Sequence, residues 1–199
     1  TLDDLKGLKF RMPGLGGEAL RQLGVNVVAL PGGEIFAALQ SGAIDGTEWV
    51  GPWNDLAFGF YRIAKHYYFP GFHEPGALLS AGVNKAAYDK LSKTDQGIVE
   101  QACLAETTFM YSEFVAKNGA ALDTLINQHG VELHQFAPEI WDAFTEASEA
   151  VTSAVQTYDD MGKRVYDSYV KTRRDYGNWT RISEQSYAVE RGRALKFGQ

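Results

Sequence analysis

The sequence predicts an α/β fold in which a parallel or mostly parallel sheet, covered by helices, is followed by long C-terminal helices. Three observations carry this expectation. Short apolar runs alternate with short helical patterns through the first third, tight Pro/Gly turns separate them, and from Tyr88 onward apolar residues recur at helical spacing. A β-α-β-α-β rhythm joins its strands by crossover helices, and such connections make the strands parallel.

Leu8–Met12 (LKFRM) reads as the first strand, stopped by the Pro13-Gly14 turn. Glu18–Leu23 is a brief helix, ended by Gly24 in the position that favours left-handed geometry. Val25–Leu30 is the second strand. After Pro31-Gly32-Gly33, Ile35, Phe36 and Leu39 share one face of a helix over Glu34–Gln40, closed by Gly42. Ile44–Val50 is the third strand, Leu56–Ala64 a helix, Tyr67–Phe72 an aromatic edge broken by proline, and Ala77–Val83 a further strand. Ser92 and Thr94 are N-cap candidates for a helix over Asp95–Gln128, with a kink near Gly119. Val131–Phe136 is one more strand, and Pro138 takes the first-turn position of a helix carrying Ile140, Trp141 and Phe144. Helical pattern continues to Tyr176, with Val155, Tyr158, Val165, Tyr166 and Tyr169 forming an aromatic stripe suited to packing. Beyond Gly177 a short polar tail carries Trp179, Ile182, Tyr187 and Phe197, which need a surface on the molecule or on a partner.

Composition narrows the function classes. At 199 residues with 45% hydrophobic and 22% charged residues the chain is globular, large enough for one domain or two small ones. A net charge of −6 argues against nucleic acid, because a polyanion binder needs a basic footprint and the basic runs 171–174 and 191–196 sit among acids. Cys103 is the single cysteine, so neither an intrachain disulfide nor a thiolate metal cluster can form. No stretch approaches the roughly 20 apolar residues that span a bilayer. The first residues, TLDDLKG, lack the character of a signal peptide, so either the protein is cytoplasmic or Thr1 is not the first residue of the gene product.

The chemistry-bearing residues gather around Ile44–Trp53, IDGTEWVGPW, which sets Glu48 beside Trp49 and Trp53 ahead of a Gly51-Pro52 turn. Such a stretch suits an edge that holds a ligand, and equally a core tryptophan with a solvated acid. Arg11 ends the first strand between Phe10 and Met12. A guanidinium there can clamp a small carboxylate by two parallel hydrogen bonds, since ligands of open α/β sheets bind at strand C-terminal ends; an outward-facing edge arginine has the same spacing. Glu48 and Glu74 both lie beside turns after strands, and two carboxylates with backbone carbonyls suit a hard cation such as Na⁺ or Ca²⁺. Other chemistries fare worse. Gly14-x-Gly16-Gly17 departs from the dinucleotide fingerprint, no G-x-S-x-G is present, and His66, His73, His129 and His134 lack zinc-site spacing.

LKFRMPGLGGEALRQLGV, ALPGGEIFAALQSGAIDGTEWVGPWND and YYFPGFHEPGALLSAGVNKAAYDKL together resemble the extracytoplasmic solute receptors of TRAP transporters. The likeness is greatest to the branch binding 2-oxo acids and related monocarboxylates such as lactate, and greatest over the first 85 residues. The resemblance implies a periplasmic binding protein with a two-lobe fold, of which this chain begins where the second lobe begins, as a fragment or half of a receptor. It implies that Arg11, in an F-R-x-P motif, clamps the substrate carboxylate. It further implies that Na⁺ or Ca²⁺ bridges protein and substrate through Glu48, the Trp49 carbonyl and Glu74. In a binding protein of this kind Trp49 and Trp53 are expected to wall the small side chain. The regions would be 1–85, an α/β ligand-binding lobe; 86–176, long helices with one strand packing across the lobes; and 177–199, a tail able to make a dimer contact.

The leading expectation is therefore a binding protein that delivers a small carboxylate to TRAP membrane subunits, spans no membrane itself and pairs as a homodimer through its C-terminal helices. The alternatives are a cation-dependent enzyme acting on a keto acid, for which no proton-transfer partner beyond the two glutamates offers itself, and a half-receptor serving mainly as an assembly module.

Overall fold

The computed structural model describes residues 1–74, 76 and 79–196. Its first strands are short and parallel, as the rhythm of the sequence predicts: β1 (Lys9–Arg11) lies between β2 (Asn26–Val28) and β3 (Gly46–Thr47). Helix α1 (Gly14–Gln22) makes the crossover from β1 to β2, and a 3-10 turn with α2 (Ile35–Ser41) makes that from β2 to β3. The third strand is two residues rather than seven: among the described residues it pairs with β1, through Phe10 and Arg11. Helix α3 (Pro52–Phe58) begins four residues earlier than the apolar pattern suggests. Pro52 suits a first turn, where its missing N–H costs nothing, and Gly59 ends the helix at φ 74°.

A second sheet pairs β4 (His66–Phe69) with β5 (Glu132–Gln135), in parallel. Of the strand expected over Ala77–Val83, Ala77 and Leu78 lie outside the described residues, and Leu79–Val83 run as exposed irregular chain without the partner a ladder requires. Helix α4 (Lys85–Tyr88) is capped by the Asn84 side chain. Helix α5 (Lys93–Asn127) is capped by Ser92, whose hydroxyl accepts from the Asp95 N–H, and it continues through Gly119 without a break. Helix α6 (Pro138–Ala154) follows β5.

Two cores hold the sheets. Met12, Leu20, Val25, Ile140 and Phe144 form one, with Phe10 and Phe72 packed on it; Ile35, Leu39, Ile44 and Phe60 form the other, with Trp49 on its margin. Side chains alternate along β1, so Phe10 and Met12 enter the first core while Arg11 faces the side of Trp49.

The chain divides into two compact units, Thr1–Ala147 and Ser148–Gln199. In the second, α7 (Asp160–Ile182) and α8 (Glu184–Leu195) replace the polar tail expected after Gly177. The strong helix formers Arg, Glu, Gln and Ala carry the pattern past that glycine. Glu149 accepts a two-pronged hydrogen bond from Arg173, at 2.5 and 2.9 Å. Of the stripe read as a packing face, Tyr158, Val165 and Tyr169 stand exposed at 69%, 55% and 45% of full exposure, while Val155 and Tyr166 are half-buried.

Candidate functional site

The backbone brings the central residues together by strand pairing. The Glu48 N–H donates to the Arg11 carbonyl at 3.2 Å, so the chain leaving β3 runs beside the end of β1. Arg11 is buried there at 7% exposure, against the expectation that allowed an outward-facing edge residue. Its Nε donates to the Leu30 carbonyl at 3.1 Å, and its Nη1 donates to the Glu48 carbonyl and carboxylate. Three acceptor atoms on two residues thus orient one guanidinium, whose centre lies 5.4 Å from the Trp49 ring centroid. Among the described residues nothing accepts from Nη2, and its two N–H groups are the donors left for a ligand.

Trp49 is held from behind. It rests 5.1 Å from the Phe58 ring, and a methyl placed on Gly32 would stand 2.5 Å from its indole. Its Nε1 is buried without a partner, a polar group for which the described residues supply no acceptor. Trp53 is directed elsewhere: its ring meets Phe114 edge-on at 5.0 Å, the Lys117 ammonium lies 4.2 Å over it, and its N–H donates to Asn118 Oδ1 at 3.0 Å. It fastens α3 to α5.

Glu74 comes to the site through the loop after β4, and ligand atoms of Glu48, His73 and Glu74 all lie within 4.8 Å of one another. The two carboxylates paired from sequence are therefore neighbours. His73, which lacks zinc-site spacing in the sequence, joins them: its Nε2 sits 3.4 Å from Glu48 Oε2, and its buried Nδ1 has no partner among the described residues. The signal available was its adjacency to Glu74. Two carboxylates at this spacing fit a hard cation with oxygen ligands, and the imidazole widens the choice of ion.

Behind Glu48 lies a second pair that sequence reasoning missed. The Tyr67 hydroxyl donates to Asp55 Oδ2 at 2.6 Å, and Asp55 Oδ1 is buried without a hydrogen-bond partner among the described residues. Burial pushes the Asp55 carboxyl up to about 6, the Tyr67 hydrogen bond works against that rise, and the Glu48 charge adds to it. Burial and the neighbouring Asp55 raise the Tyr67 phenol in turn. A cavity of about 780 Å³ has Glu48, Trp49, Asp55, Tyr67, His73 and Glu74 in its lining.

Comparison with known proteins places this geometry in context. Residues 1–158 match the sequence model of DctP, described as bacterial extracellular solute-binding protein, family 7. A monocarboxylate 2-oxoacid-binding periplasmic protein of Nostoc sp. is 41% identical over 187 residues, which are 94% of this chain and 51% of the relative. A TRAP periplasmic solute-binding protein of Colwellia psychrerythraea, solved with bound calcium and pyruvate, superposes with a TM-score of 0.90 at 35% identity over 96% of this chain and 58% of its own. Its counterpart from Pseudoalteromonas atlantica, solved with sodium and pyruvate, gives 0.85 at 32% identity over 94% and 57%. One from Bordetella bronchiseptica, a dimer with calcium and picolinate in one site, gives 0.91 at 32% identity over 100% and 59%. The chain thus spans between half and three-fifths of the length of these relatives.

Proposed function

The chain belongs to the bacterial extracellular solute-binding proteins of family 7, the DctP family, and on that basis we propose that it forms one jaw of a periplasmic TRAP receptor for a small monocarboxylate. The ligand is a 2-oxo acid such as pyruvate, or lactate, handed on to the membrane subunits. The observation that carries the proposal is the buried Arg11 guanidinium, oriented by Leu30 and Glu48 beside Trp49, with Glu74 close by.

In this reading Arg11 Nη2 receives the ligand carboxylate, and Na⁺ or Ca²⁺ on Glu48, Glu74 and the Trp49 carbonyl meets the ligand oxygens. Trp49 supplies an apolar wall, and Trp53 fixes the turn behind it. The cation neutralises two neighbouring carboxylates and draws the acid in. Calcium, sodium and pyruvate in the solved relatives support this assignment. Residues 1–85 form the ligand-binding lobe in this reading, 86–176 are long helices with one strand, and the tail from 177 makes a dimer contact, for which light scattering is the check.

The test is calorimetric. Pyruvate or lactate titrated into the protein is expected to give saturable heat with calcium or sodium present and much weaker binding after chelation. The absence of heat under both conditions overturns the proposal. Consumption of a 2-oxo acid on incubation overturns its non-enzymatic part.

A further inference from the structure

The exposed face of the β4–β5 sheet carries a group of side chains that the carboxylate site does not use. His66 pairs in register with Glu132, and His134 follows Glu132 by two residues, so the pleat puts all three on one face. Tyr67, one position along, goes to the opposite side and donates to Asp55. His66 Nδ1 and His134 Nε2 are 3.0 Å apart, and Glu132 Oε2 lies 3.4 Å from the first and 3.7 Å from the second.

We propose that His66, Glu132 and His134 form a second metal site, selective for a borderline transition-metal dication such as Zn²⁺. The triangle of these three atoms is the basis. The circle through them has a radius of about 2.0 Å, so an ion seated just off their plane is about 2.0–2.1 Å from each, the bond length of zinc to imidazole nitrogen and carboxylate oxygen. A hydrogen bond between the imidazoles accounts for the shortest edge alone and leaves Glu132 facing both rings.

Chemistry separates this site from the one at Glu48. Two imidazoles and one carboxylate suit zinc and its neighbours, whereas calcium and sodium prefer more oxygen ligands than one glutamate provides. The ring of His134 is stacked on Tyr68 at 4.9 Å, and Tyr68 is stacked in turn on Phe136 at 5.3 Å, so this ligand is braced before any ion arrives. The side chains of His66 and Glu132 are 63% and 64% exposed, leaving the fourth position of a tetrahedron to water or to a ligand from another molecule.

The experiment is zinc titration by calorimetry on the Cys103→Ser protein, which lacks the exposed thiol, in excess calcium so that oxygen-rich sites are filled. One zinc per chain is expected. His66→Ala and His134→Ala should each weaken it at least tenfold, Glu132→Gln should weaken it less, and His129→Ala should leave it unchanged. Cobalt bound in place of zinc should give the visible absorption of a four-coordinate ion, lost in the His66→Ala/His134→Ala double variant. Circular dichroism without metal checks that each variant is folded. Zinc binding of equal strength in the folded double variant, or no zinc binding by the parent, overturns the proposal.

Discussion

Arg11 and Glu48 form an ion pair whose side chains are only 8% and 16% exposed. Each partner makes the burial of the other tolerable, because an isolated charge in such surroundings forfeits hydration without recompense. Glu48→Ala is therefore expected to lower stability by about 3–5 kcal/mol, the range for stranding one member of a buried pair. The double variant Arg11→Met/Glu48→Leu should lose less than the single. Urea unfolding at neutral pH measures both, and equal stability of Glu48→Ala and the parent would show that Arg11 finds its neutralisation elsewhere.

Arg11→Lys separates support from recognition. Lysine keeps a positive charge near Glu48 but lacks the planar fork, so the donors available at Nη2 vanish. Removing a charged hydrogen bond is worth about 1.5–3 kcal/mol, which is a loss of about ten- to 150-fold in carboxylate affinity. Calorimetry with pyruvate should register that loss while the far-UV spectrum stays that of the parent. Unchanged affinity would remove Arg11 from the proposed binding set.

Glu74 behaves differently from Glu48 because it is exposed and the described contacts include no ion pair to it. Glu74→Gln should leave thermal stability within about 0.5 kcal/mol of the parent, as at other surface positions. Calcium affinity should nonetheless fall at least tenfold. A calcium titration with no change would leave Glu74 a solvated acid.

The parts of the fold written in local chemistry were legible. Turn glycines and prolines marked the first strands, Ser92 marked the start of α5, and the strand-end place of Arg11 and the acid beside Trp49, joined to the resemblance to TRAP receptors, pointed to Arg11 and Glu48. What long-range packing decides was not legible. Nothing in YYF shows that Tyr67 turns inward to Asp55, since strand register sets which of two adjacent tyrosines is buried. Trp53 has the same local credentials as Trp49, yet its place against Phe114 depends on α5, some sixty residues on. His73 became a neighbour of Glu48 through a loop whose path no periodicity encodes.

Gly32 is the position where a single methyl tests the wall of the site. Its φ is not in the left-handed region, so alanine meets no backbone penalty, but the new Cβ would stand 2.5 Å from the Trp49 indole. Trp49 is packed against Phe58 on one side and lines the cavity on the other, so relief of the clash has to push the indole into the cavity. Gly32→Ala should cost about 1–3 kcal/mol, the usual penalty of overpacking, and shift the tryptophan emission. Parent-like stability and emission would mean that the indole moves freely.

Asp55 supplies the pH dependence. Its carboxyl is raised to about 6 by burial, above the ordinary value near 4 of an unfolded chain. Between those values the folded protein holds a proton that the unfolded chain has released, so stability falls as pH rises through the window. The contribution is fully present below about pH 4 and lost above about pH 6, with a size on the order of 3 kcal/mol. Asp55→Asn keeps an oxygen for the Tyr67 hydroxyl and carries no charge, so it should flatten the profile and stabilise the protein at pH 7. Tyr67→Phe removes a hydrogen bond that favours the ionised carboxylate, so it should move the fall to higher pH. Urea midpoints collected from pH 4 to pH 8 read all three curves. A parent profile no steeper than that of Asp55→Asn would place the Asp55 carboxyl in the ordinary range and its burial would then be satisfied by water.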